Sequence, residues 1–175
     1  MTEYFDKVDQ NDNVIGKISR EEAHELNLMH RAVHIFIKGQ NGKWLLQKRS
    51  VKKDLDPLLL TTSCSGHVDS GESYADAAVR ECMEELGLTI SSQDLTEILR
   101  CSPCRETGME FVRVYLIKRI FKKITPSSDE IDQIVYFEYD ELIHKSETES
   151  AKFSGSFLHI LHLVKGKLSN HSSDS

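Results

Sequence analysis

Apolar positions along the chain fall into short strand-like runs and two segments of helical period. Residues 32–37 and Trp44-Leu45-Leu46 are apolar runs separated by Asn41-Gly42, a dipeptide suited to a tight turn, so residues 32–48 predict a hairpin. Further β-rich runs cover residues 98–101, 111–121 and 134–139, with Thr107-Gly108 as a turn between the first two. Ser19 followed by Glu22 is a capping-box pair, which predicts a short helix through about residue 27. Ser73 and Asp76 repeat that logic at the head of a longer helix. Gly87 ends it, and Leu88 is placed to fold back on Met83. A last helix is read from near Ser156 to Gly166, with Phe157, Leu161 and Val164 on one face. Strands and helices mix without strict alternation, which predicts an α/β fold with a mixed sheet flanked by helices.

Composition narrows the class. With 175 residues, 39% hydrophobic and 29% charged, the chain matches one globular domain, assigned to residues 1–168, followed by a solvated tail, 169–175. A chain this long buries roughly 70% of its unfolded surface and needs no disulfide or structural metal to form a core. Four cysteines, no apolar N-terminal stretch and no apolar run near the roughly 18 residues of a membrane span predict a reduced, cytoplasmic setting without membrane attachment. A net charge of −6 argues against a nucleic acid polymer as partner.

The helix at 74–86 carries an unusual charge pattern. At about 100° per residue, with Glu81 as zero, Ala75, Ala78, Val79, Cys82 and Leu86 fall between roughly 60° and 160°, an apolar stripe. Glu84 and Glu85 fall at roughly 300° and 40°, so three carboxylates share an arc of about 100° beside that stripe. Each like-charge pair costs roughly 0.2–0.5 kcal/mol in water, and more where the neighbouring face is desolvated. An ordinary solvated face, with Asp76, Arg80 and Glu84 as an i, i+4 ladder, explains part of this but leaves Glu81 and Glu85 without a cation in the helix. A divalent ion would turn the repulsion into attraction, and hard oxygen donors suit Mg²⁺ or Mn²⁺. Residues 66–88 hold six acids against one base, while the other 152 residues carry 22 acids and 21 bases. The overall acidity is therefore one concentrated anionic site in a nearly neutral protein.

Gly66, Glu72, Arg80, Glu81, Glu84, Glu85 and Gly87 stand at the spacing G-x5-E-x7-R-E-U-x-E-E-x-G-U, which resembles the Nudix hydrolase signature at all seven fixed positions. The aliphatic slots hold Cys82 and Leu88. The resemblance implies an α/β/α sandwich whose loop-helix-loop motif binds divalent cations, Mg²⁺ or Mn²⁺, and an activity that cleaves a diphosphate linkage in a nucleoside diphosphate derivative. It implies that Glu81, Glu84 and Glu85 are metal ligands, with the water-activating base among them or on another loop. Arg80 then orients the glutamates, Glu72 closes the loop onto the helix and assists the metal, and Gly66 brings its carbonyl close to the metal. Glu110 and Glu130 are candidates for a further acid, and Lys48, Arg49 and His67 for substrate contacts. The expected partner is a small diphosphate compound, and a homodimer is compatible with the sequence.

The segments Arg20-Glu21-Glu22-Ala23-His24, His30-Arg31-Ala32-Val33-His34 and Leu45-Leu46-Gln47-Lys48-Arg49 resemble a branch close to type I isopentenyl-diphosphate isomerase. That likeness implies an alternative reaction, isomerisation of an alkene diphosphate. It also implies a metal set near His24, His30, His67 and Glu110. The isomerase cysteine directly before Gly-His is replaced by Ser65, with Cys64 one residue early, where strand alternation turns it to the opposite face. Gly108 stands where a second strand glutamate is expected, and the intact box favours hydrolysis. A non-catalytic nucleotide-sensing module is a third reading that the same intact box opposes. Cys101-Ser102-Pro103-Cys104 has no second CxxC nearby and reads as structural, with a redox or metal role as the alternative. Lys118, Arg119, Lys122 and Lys123 read as guards of an edge strand, and Trp44 as core.

Overall fold

The computed structural model describes residues 2–39 and 42–170. Asn41 and residues 171–175 of the expected tail lie outside them. The strands are β1 (Tyr4–Val8), β2 (Val14–Ser19), β3 (His30–Lys38), β4 (Trp44–Arg49), β5 (Leu60–Thr61), β6 (Cys64–His67), β7 (Leu95–Cys101), β8 (Glu110–Ile117) and β9 (Ile131–Phe137). The helices are α1 (Arg20–Glu25), α2 (Tyr74–Leu86), α3 (Tyr139–Thr148) and α4 (Gly155–Asn170).

The main sheet runs β5-β4-β3-β8-β7, with β6 also on β3 and β9 also on β4. It is mixed because β3 and β8 pair in parallel from His30↔Glu110 to Ile37↔Ile117, while the remaining pairings are antiparallel. One edge of β3 is taken by β8. The other is shared, by β6 along Ala32–Ile35 and by β4 only at Ile37 and Lys38. The sheet therefore splits on the N-terminal side of Ile37, where Ala32 and His34 of β3 line a cleft with Arg49 and Thr61.

Period-two alternation on β3 and β8 builds two cores. Val33, Ile35, Ile37, Tyr115 and Ile117 face α2, joined by Ala77, Ala78, Cys82 and Leu86. Ala32, Phe36, Val112, Val114 and Leu116 face the opposite side and pack with Phe157, Ile160, Leu161, Val164 and Leu168 of α4 and Leu142 of α3. The α/β/α sandwich expected from the sequence is this arrangement. Trp44 is fully buried, with its ring edge-on to Phe36 at 6.2 Å.

Several boundaries differ from the sequence reading. Residues 4–19 form a separate two-stranded sheet, which weak alternation in an exposed hairpin did not reveal. The hairpin at 32–48 exists at its tip only, because β4 pairs along its length with β9. The β-rich run at 111–121 leaves the sheet after Ile117, so Lys118, Arg119, Lys122 and Lys123 lie beyond the strand, and Arg119 sits 3.8 Å from Asp94. Tyr139 opens α3 rather than closing β9. Gly166 does not stop the last helix: Lys167, Leu168, Ser169 and Asn170 continue it, so the expected tail begins inside α4.

Phe157 is fully buried, 5.4 Å from Phe153 and 6.3 Å from Phe36 between ring centres. Phe157→Ala is expected to lower stability by about 3–5 kcal/mol through lost burial and an unfilled cavity, read as a lower midpoint in urea unfolding.

Candidate active site

The acidic segment begins on β6, loops through residues 68–73 and becomes α2. Ser73 caps the helix by accepting a hydrogen bond from the Asp76 N–H, as its sequence position predicts. At the other end Gly87 takes φ 64°, and the N–H groups of Gly87 and Leu88 return to Met83 O and Cys82 O, each at 3.0 Å. A side chain at Gly87 would also meet Thr125 O at 3.0 Å. Leu88 enters the core while Met83 stays 45% exposed, and the stop is held by these backbone bonds.

The buried face of α2 is turned slightly from the expected stripe. Tyr74, Ala77, Ala78, Cys82 and Leu86 are buried, Ala75 and Val79 are half-buried, and Glu85 is 5% exposed. The rotation carries one carboxylate into the core edge. Gln47 Nε2 and the Ser65 N–H donate to Glu85 Oε2 at 2.9 and 3.1 Å. Burial still pushes the Glu85 carboxyl above the ordinary carboxylate range, against those hydrogen bonds.

Glu81 is held differently. Its carboxylate fills the space a Cβ on Gly66 would occupy, with Cδ and Oε1 each 2.1 Å from that position, so residue 66 has to be glycine for Glu81 to sit there. Burial first, and Glu85 second, push the Glu81 carboxyl up to about 8, with Arg80 opposing. Glu84, half-exposed, completes the arc.

Arg80 is the cation of this arc. Its guanidinium donates to Glu72 at 2.9 and 3.0 Å, to Glu81 at 2.7 Å, to Glu84 at 3.1 Å and to the His67 carbonyl at 2.9 Å. The expected i, i+4 ladder holds only for Arg80–Glu84, because Asp76 is engaged by Ser73. Glu81, expected to lack a cation in the helix, pairs with Arg80 through its adjacent position. Glu72 also accepts from the Asp69 N–H at 3.1 Å, which closes the loop onto the helix.

These groups open into a cleft of about 1020 Å³ lined by Gly66, Arg80, Glu81, Glu84 and Glu85 on one wall. His67, Glu110, Glu130 and Arg49 also line it, whereas Glu72 stands behind Arg80 and Lys48 is turned to Asp132 at 2.9 Å. Lys52 and Lys53 reach the cleft while paired with Asp129 and Glu130 at 2.5 Å. Cys64 is fully buried in the core facing α2, and the next residue, Ser65, lines the cleft, the alternation expected for an unbulged strand.

A second cluster stands beside the carboxylates. The parallel pairing His30↔Glu110 and the antiparallel pairing Ala32↔His67 bring distant segments together, and α1 adds His24. The ligand atoms of His24, His30 and His67 lie within 4.8 Å of one another. His67 Nε2 is 3.1 Å and His30 Nε2 3.6 Å from Glu110 Oε1. His30 Nδ1 donates to the Leu28 carbonyl at 2.8 Å, which turns its Nε2 toward Glu110. The Nε2 atoms of His24 and His30 are buried without hydrogen-bond partners. Burial raises the Glu110 carboxyl, but contact with His30 and His67 holds it well below the carboxylate range. Burial, then the neighbouring His67 and His30, lower His24 to about 4. Both groups offer donors for a cation: oxygens from the glutamates and the Gly66 carbonyl, imidazole nitrogens from the second cluster.

A family profile described as the NUDIX domain matches residues 28–158. An uncharacterized Nudix hydrolase of Nostoc sp. is 33% identical over 148 residues, covering 83% of this chain and 88% of its own. An isopentenyl-diphosphate Delta-isomerase of Serratia proteamaculans is 41% identical over 96 residues, covering 55% of this chain and 54% of its own. A crystal structure of a Deinococcus radiodurans protein superposes with a TM-score of 0.77 at 26% identity, covering 91% of this chain and 98% of that one. The chain belongs to the Nudix family. It is a Nudix hydrolase, of a family that acts on pyrophosphate bonds. Among the described residues no helix is long and apolar enough to cross a membrane.

Sequence reasoning did not find His34, which is 5% exposed in the cleft wall with Nδ1 3.0 Å from Thr62 Oγ1. Burial lowers its pKa to about 4. Because this lies below the ordinary value of about 6.5, the unfolded chain takes up the proton first as pH falls. The stability present above pH 6.5 is therefore lost progressively down to about pH 4. His34→Asn is expected to flatten the decline in urea-unfolding stability between pH 7 and 5. An unchanged slope would assign the decline to other groups.

Proposed function

We propose that the protein hydrolyses a diphosphate linkage in a nucleoside diphosphate derivative, in a reaction dependent on Mg²⁺ or Mn²⁺. The observation that carries this reading is the Glu81 carboxylate seated against Gly66 beside Glu84 and Glu85, a concentration of negative charge that Arg80 alone does not balance. Glu81, Glu84 and Glu85, with the Gly66 carbonyl, hold the divalent ion. Bound there, the ion would neutralise substrate charge and lower the pKa of a water ligand. Arg80 fixes the carboxylates in place and Glu72 fixes Arg80. Arg49, Lys52 and Lys53 stand where an anionic substrate needs positive charge. Glu110 and Glu130 are the carboxylates from outside α2 that could take a proton from the attacking water, with Glu130 on the Glu85 side of the cleft. Four free cysteines fit a reduced, cytoplasmic setting.

A second reading, isomerisation of an alkene diphosphate, is favoured by the unpartnered Nε2 atoms of His24 and His30 beside Glu110. Ser65 and Gly108 oppose it, since neither supplies the acid or the carboxylate that reaction uses.

The deciding measurement is turnover of nucleotide sugars, dinucleotides, ADP-ribose, nucleoside triphosphates and isoprenyl diphosphates with Mg²⁺ or Mn²⁺. Release of a phosphorylated product from at least one is expected, and conversion of isopentenyl diphosphate to its allylic isomer would reverse the ranking. Glu84→Gln and Glu85→Gln are each expected to reduce turnover by about two to four orders of magnitude with an unchanged circular dichroism spectrum. Gly66→Ala should do the same by displacing the flexible end of Glu81 at small cost in stability. Full activity in Gly66→Ala would remove Glu81 from the site.

A further inference from the structure

The loop between β7 and β8 and the first turns of α4 form one wall of the cleft, lined by Arg105, Glu106, Thr107 and Gly108 from the loop and by Ser154, Gly155 and Ser156 at the helix. Behind that wall a third group of metal-ligating side chains converges. Cys104 Sγ lies 3.6 Å from His159 Nε2, and with a Glu106 carboxylate oxygen the three ligand atoms fall within 4.8 Å of one another. None belongs to the acidic box or to the histidine cluster around Glu110.

From this geometry we infer a zinc-binding site formed by Cys104, Glu106 and His159, which ties the 102–109 loop to α4. The donor set fits. Thiolate, imidazole and carboxylate together select Zn²⁺ over the hard cations that suit the glutamates. Tetrahedral bonds of about 2.3 Å to sulfur and about 2.0–2.1 Å to nitrogen place those two ligands about 3.5 Å apart. The Cys104–His159 separation is already within 0.1 Å of that edge, so the pair needs almost no movement, and the exposed Glu106 closes the remaining distance.

The loop is organised to present the thiol. The Thr107 hydroxyl donates to the carbonyls of Cys104 and Glu110 at 3.2 Å, and the Met109 N–H to the Cys104 carbonyl at 2.9 Å. Gly108 and Met109 follow at φ 68° and 66°, the tight reversal that returns the chain into β8. His159 lies one helical turn after Gly155, on rigid backbone. Cys101 takes no part: it is buried in the core and is not among the converging ligand atoms. The fourth position is left to water, the open arrangement of a three-ligand zinc site. Clamping loop to helix there would stiffen the wall that carries Thr107 and Gly108 into the cleft.

Titration of the purified, metal-free full chain with Co²⁺ tests this independently of any activity, because a thiolate ligand gives Co²⁺ a near-ultraviolet charge-transfer band that carboxylate and imidazole do not. The band is expected to saturate, whatever Co²⁺ the glutamates and the histidine cluster also take up, and to disappear when Zn²⁺ is added. Cys104→Ser should abolish it, His159→Asn should weaken Co²⁺ binding by about 100-fold or more, and Cys101→Ala should leave it unchanged. No band in the wild type, a band that survives Cys104→Ser, or an unaltered affinity in His159→Asn would each overturn the proposal. As a check that needs no variant, alkylation of Cys104 mapped by mass spectrometry should slow about tenfold or more with Zn²⁺. Equal rates with and without Zn²⁺ would also overturn it.

Discussion

The arrangement rests on bringing three carboxylates of one helix turn to the edge of a core. Left in water they would repel weakly; Glu81 and Glu85 also lose hydration, and both effects raise the cost of keeping those two ionised. The surrounding residues meet that cost in different ways. Glu85 receives an amide and a backbone N–H, Glu81 receives Arg80 and the space made by a missing side chain at Gly66, and Glu84 stays half in solvent. Arg80 is itself held by Glu72 and by the His67 carbonyl, so the loop before α2 is closed by the same guanidinium that holds the helix carboxylates. Structure and chemistry share one network, and the charge it leaves unbalanced is the property the proposed function uses.

The central strand β3 places everything else relative to that network. Its odd positions pack on α2 and its even positions face α4, so a single strand supplies both cores and the floor of the cleft. Because β6 covers only its first half and β4 only its end, the sheet opens where the carboxylates emerge. Parallel pairing with β8 sets Glu110 beside His30, and pairing with β6 sets His67 across from Ala32. A one-residue slip in either register would turn these side chains to the opposite face. The same alternation separates Cys64 from Ser65, and with that the chemistry open to the cleft: a hydroxyl is presented and the thiol is buried.

What the sequence by itself determined is local. The caps at Ser19, Ser73 and Gly87 were legible because each satisfies helix-end backbone groups within a few residues. The arc of Glu81, Glu84 and Glu85 followed from helical periodicity alone, and the seven fixed positions of the box marked the family. The main strands were found by their apolar runs, with ends misjudged by a few residues where propensity continued and partners did not, as after Ile117. The tertiary structure decided what depends on neighbours distant in sequence. It turned α2 so that Glu85 is buried more deeply than Val79, drew Lys48 away to Asp132, and set Cys104 against His159, 55 residues apart. Such partners leave no periodic trace, because sheet register and helix docking, not spacing along the chain, choose which side chains share a desolvated space.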